Sequence, residues 1–168
     1  MTTLTMHAIS APVFTRMLKN VSAILAKAEQ QAKAKGYDPT VLLNSRLAPD
    51  MFPLSRQIQI ASDHAKGCMA RLAGHQPEAM EDSETTFAQL QERIAKVLRI
   101  VESYKASDLT GAETREITIK IPSSELKFSG LDYVNQWAMP NFYFHITTAY
   151  DILRANGIDL GKRDFLIS

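Results

Sequence analysis

An all-α four-helix bundle, with at least one crossover connection and a small β-hairpin before the last helix, is the fold class this sequence predicts. Three observations carry it. Four segments of about 20 residues repeat apolar side chains at alternating steps of three and four, the signature of helices with one core-facing stripe. The period switches once to two, where Ile117, Ile119 and Ile121 alternate with Thr118 and Lys120. The connections ahead of the second and fourth helices are too long for simple helical hairpins, which calls for a crossover.

The first helix starts at Ser10 and Pro12, because a serine hydroxyl accepts orphan backbone N–H groups and proline is tolerated in a first turn. Val13, Met17, Val21, Ile24 and Ala28 form its stripe, and Gly36 ends it. Pro39 and Pro49 mark a long connection with one helical turn near Val41 to Asn44. The second helix begins at Pro53, runs through Leu54, Ile58, Ala61, Ala65, Cys68 and Leu72, and stops at Gly74. An irregular acidic stretch from His75 to Asp82 follows, and Ser83 or Thr85 caps the third helix, whose stripe is Phe87, Leu90, Ile94, Val97, Val101 and Tyr104. The hairpin turns at Pro122 to Glu125 and returns through Leu126 and Phe128. A last helix runs from Leu131 through Val134, Ala138, Phe142, His145, Ala149 and Ile152, kinked or restarted at Pro140. The tail docks through Leu160, Phe165 and Leu166.

The chain of 168 residues is sized for one domain, 1–168, and its 45% apolar and 22% charged composition excludes a disordered or low-complexity polymer. Nineteen Lys plus Arg against eighteen Asp plus Glu leave a charge of +1, without the basic excess of a general nucleic-acid binder. The one cysteine, Cys68, cannot form an intrachain disulfide, and a reducing cytoplasm is the simplest compartment. Met1 to Ser10 lacks a basic n-region, so no secretory signal is expected, and charged residues interrupt every window long enough to span a membrane.

Two histidines fall on core stripes. His64 follows Ala61 by three residues and precedes Cys68 by four, and His145 stands likewise between Phe142 and Ala149. If the second and fourth helices run parallel, the imidazoles lie about 6 Å apart in height. Small neighbours at Ala61, Ala65, Gly67 and Ala149 leave room for a pocket with His64, Cys68, Trp137, Asn141 and His145 in its wall. Imidazole is a good ligand for zinc, nickel, iron or manganese, but a catalytic site commonly takes three protein ligands, and only His64 and His145 are in view. Satisfied core histidines are the simpler reading of the same pattern. Six aromatics between Tyr133 and Tyr150 exceed what one narrow stripe buries, and make either a broad core face with hairpin packing or an aromatic pocket wall or homodimer surface. No phosphate loop, nucleophile elbow or His-Glu-x-x-His pattern is present.

From Pro140 to Arg154, PNFYFHITTAYDILR, continued by Asn156-Gly157 and Gly161 to Phe165, the chain resembles a bacterial family of uncharacterised proteins related to the DinB/YfiT-like four-helix bundles. The start of the third helix, Thr86 to Leu90, and the His64 helix are similar too, so the resemblance spans nearly the whole chain. It implies a crossover between the second and third helices, frequent dimerisation, and a core site where relatives bind a divalent metal through three histidines. Some metal-bearing relatives are thiol-dependent transferases or hydrolases. By position, His64 matches the ligand of the second helix and His145 the first ligand of the fourth, whereas the third histidine is replaced by Ala149. The reading is therefore a small-molecule pocket with a degenerate metal site. A metal-dependent transferase or hydrolase and a non-catalytic homodimer stand as alternatives.

Overall fold

The computed structural model describes residues 4–167; the first three residues of the expected signal-free N-terminus lie outside them. Helix α1, Met6–Ala34, begins earlier than the sequence predicts. The Thr5 hydroxyl accepts from the Ala8 N–H at 3.1 Å and so caps the helix, while Pro12 sits exposed inside it. Ser10, expected as the cap, instead donates to the Met6 carbonyl. A short α2, Thr40–Leu43, lies in the connection to α3, Leu54–Leu72. Helix α4, Phe87–Ser103, is capped by Thr86 rather than by Ser83 or Thr85: its hydroxyl takes the Gln89 N–H, and the Gln89 amide oxygen takes the Thr85 and Thr86 N–H groups.

Two 3₁₀ turns, Ala106–Leu109 and Ala112–Thr114, lead into the hairpin of β1, Glu116–Ile121, and β2, Ser124–Ser129. The strands are antiparallel with Ile119 opposite Leu126 and Ile117 opposite Phe128, so Ile117 and Ile119 are buried against the bundle while Thr118 and Lys120 face water. After a single turn, α5 (Gly130–Asp132), the chain takes a π-helical turn over Tyr133–Ala138 and continues as α6, Met139–Ala155. Pro140, expected to kink or restart the helix, stands in the first turn of α6. It has no N–H to lose, and it stands where the wide turn gives way to regular α-helix. The last element, α7 (Lys162–Leu166), seats Phe165 on Tyr150 at 5.7 Å, but Leu166 is exposed and does not dock.

Contacts along the helices give their directions. Phe14 meets Phe142 while Gln31 bonds Asp159, so α1 and α6 run the same way. His7 reaches Tyr104 and Ser22 reaches Gln91, so α4 opposes α1. Arg71 bonds Tyr133 while Gln57 bonds His145, so α3 opposes α6. It follows that α3 and α4 are parallel, and residues 73–86 are the crossover. Helices α3 and α6 are antiparallel, contrary to the parallel pair assumed in the height estimate. No helix among the described residues is long and apolar enough to cross a membrane.

Candidate functional site

Five residues of α3 at steps of four and three, Gln57, Ala61, His64, Cys68 and Arg71, share the stripe that packs on α6. This is a coiled-coil-like seam in which three of five positions carry strongly polar groups, an arrangement that a purely structural core does not need.

The structure stacks His64 on His145, with ring centroids 6.0 Å apart and planes 17° from parallel. Counted from Leu54 and from Ala155, each histidine lies ten residues from its helix end, and antiparallel packing brings those ends together. Gln57 fixes the second ring. Its Nε2 donates to the Phe52 carbonyl at 3.0 Å, so its Oε1 is the group facing His145 Nδ1 at 2.7 Å. A carbonyl-type oxygen only accepts, so Nδ1 carries the proton and Nε2 keeps a lone pair. Phe144 meets His145 edge to face at 5.2 Å. His64 is hydrogen-bonded to no described residue, and both rings are half-buried.

Burial, the largest cause, holds both imidazoles near a pKa of about 4, with the neighbouring Arg71 and His145 adding repulsion at His64 and Arg56 at His145. Both are neutral at pH 7. As pH falls below about 6.5 the unfolded chain takes up a proton at each imidazole, whereas the folded chain does so only near 4. Stability contributed by the pair is therefore complete above that window and is lost through it. The drop in urea midpoint between pH 7 and 4.5 is expected to be smaller in a His64→Asn/His145→Asn double variant than in the wild type; equal drops would contradict the shifts.

The other residues singled out in the sequence are placed differently. Cys68 is completely buried, and burial pushes its thiol pKa far up, which keeps it protonated and unreactive. Asn141 donates to the Trp137 carbonyl at 2.7 Å, and the Trp137 ring lies against Phe128 of the hairpin. Neither imidazole lines the cavity at the start of α1 (about 440 Å³) or the one beside the hairpin (about 210 Å³); both rings lie half-buried in the α3–α6 seam. Gln57, Arg56 and Arg71 escaped sequence reasoning, and Tyr133 enters it only as one of the six crowded aromatics. Gln57 and Arg71 stand seven residues before and after His64, and that spacing was the available signal. Burial holds the Tyr133 hydroxyl up to about 12, and Arg71 donates to it at 3.1 Å.

The three-histidine metal centre implied by the resemblance needs one more donor. Among the described residues no group of three His, Cys, Asp or Glu side chains converges, and Ala149 offers only a methyl group. The residues present do not fit that centre.

A crystal structure of a DinB family member from Shewanella denitrificans superposes with a TM-score of 0.88 at 46% identity, covering 96% of this chain and 92% of that one. No curated protein matches. The family model described as a domain of unknown function (DUF1993) matches residues 6–166, and the chain belongs to that family, with a DinB-like helical fold.

Proposed function

We propose that this chain binds a small molecule at the His64–His145 pair, and that it does so without a metal. The carrying observation is the pair of stacked imidazoles with the tautomer of His145 set by Gln57. That bond leaves His145 Nε2 as an acceptor, and His64, which is hydrogen-bonded to no described residue, supplies a second ring. A ligand with a hydroxyl or weakly acidic proton to donate complements them, and the nearby Arg71, which pairs with no described carboxylate, favours negative charge on it. With a pKa of about 4 each ring is a weak base at neutral pH, which suits binding better than proton abstraction. A cytoplasmic setting accords with the lone buried thiol.

The test is elemental analysis of untagged, chelator-free protein before and after incubation with zinc, nickel, iron and manganese salts. Well under one equivalent of metal is expected throughout. One equivalent, lost in His64→Ala, would overturn the reading and favour a metal-dependent transferase or hydrolase instead. A homodimer is a second reading, favoured by Phe52 and Phe144, 55% and 57% exposed beside the site. A strict monomer in sedimentation at micromolar concentration would remove it.

A further inference from the structure

Burial sets a rule for the cations of this chain, and two of them break it. Arg56, Lys66, Arg93 and Lys96 are shielded from water wholly or in part, and each pairs with a carboxylate. Arg71 and Arg115 are also half-buried, yet neither has an acidic partner among the described residues. Each makes one side-chain hydrogen bond, to a neutral acceptor: Arg71 Nη1 donates to the Tyr133 hydroxyl at 3.1 Å, and Arg115 Nη1 to the Leu72 carbonyl at 2.5 Å. Most of the donors on the two guanidinium forks are left over.

Both forks line one cavity of about 210 Å³ between the end of α3 and β1, with His75 and Thr118. The chain makes room for them with glycine. A Cβ at Gly67 would lie 2.6 Å from Arg71 Nη1, and one at Gly74 would lie 2.8 Å from Arg115 Nη1. Glu116 also lines this cavity, but its carboxylate is engaged by Lys127 at 3.3 Å across the hairpin. A partly desolvated pair of like charges is costly unless a counter-charge joins it.

We propose that Arg71 and Arg115 form a binding site for a small oxyanion, a carboxylate or phosphate group carried by a metabolite-sized molecule. Planar guanidinium forks match the paired oxygens of either group, and His75 and Thr118 add polar atoms to the same wall. The site shares Arg71 with the reading given for the histidine pair but needs neither imidazole, and Arg115, His75 and Thr118 belong to it alone.

Inorganic phosphate and succinate are titrated separately into ¹⁵N-labelled protein at constant ionic strength, following the Gly74 and His75 amides and the arginine Nε groups. Saturable shifts with a dissociation constant of about 1 mM or tighter are expected. Arg115→Gln should weaken binding at least about tenfold. Gly67→Ala keeps every charge but displaces the Arg71 fork, and it should weaken binding too, so the outcome does not depend on whether the arginine variant folds. The relative affinities for the two probes identify the preferred oxyanion. No saturation by about 20 mM of either probe, shifts reproduced by sodium chloride, or unchanged affinity in the folded variants would overturn the proposal.

Discussion

Replacing Arg93 by alanine is expected to lower the unfolding free energy by about 3 kcal/mol. The side chain is 1% exposed and spans three carboxylates: Asp63 on α3, and Asp82 and Glu84 on the crossover, at 3.0, 3.0 and 2.9 Å. It also donates to the Glu81 carbonyl at 2.9 Å. Removing it leaves acidic groups from two segments facing one another across a void. Asp63 and Asp82 are partly solvated and keep Lys66 and Arg56, which places the loss toward the lower end for a broken buried pair. Arg93→Lys should recover only part of the loss, because an ammonium cannot serve several carboxylates in the geometry of a planar fork. Urea denaturation measures both; a change under about 1 kcal/mol in the alanine variant would mean that the crossover is held by other contacts.

Gly130→Ala should be comparably severe, and for a different reason. A Cβ there would lie 1.8 Å from the Ala112 carbonyl oxygen, which is backbone and cannot swing aside. The junction between β2 and α5 must therefore move, at a cost of about 3 kcal/mol and roughly 10 °C in melting temperature. Gly111, beside Ala112, is the control. Its φ of +71° is strained for an L side chain, but nothing lies within 4 Å of its would-be Cβ, so Gly111→Ala should cost only about 1 kcal/mol. Equal melting temperatures for the two variants would contradict the close approach at Gly130.

The bundle was legible because helical stripes survive in the bare sequence. Phe87, Leu90, Ile94, Val97 and Val101 all come out buried, as their spacing requires. The hairpin was legible from the isoleucine alternation. The start of α1 was misread because Pro12 resembles a first-turn proline, while the actual cap, Thr5, lies before the stripe begins. Helix direction left no local trace: it is carried by long-range pairs such as Arg71 with Tyr133, which spacing within one helix cannot disclose. The histidines were found because an imidazole on a core stripe is conspicuous. Gln57, which sets the tautomer of His145, was overlooked because a glutamine near a helix start reads as surface until its burial is known. Arg115 was hidden for the same reason, since it follows a turn and its pairing with α3 is tertiary.

The central claim is that His64 and His145 form a neutral, metal-free pair with the His145 proton held on Nδ1. Long-range ¹H–¹⁵N correlation of the imidazoles at pH 7, before and after chelator treatment, tests it most directly. The account predicts two neutral rings, His145 protonated at Nδ1, no change on adding chelator, and titration only near pH 4. A doubly protonated ring at pH 7, a His145 proton on Nε2, or resonances that a chelator shifts would contradict it.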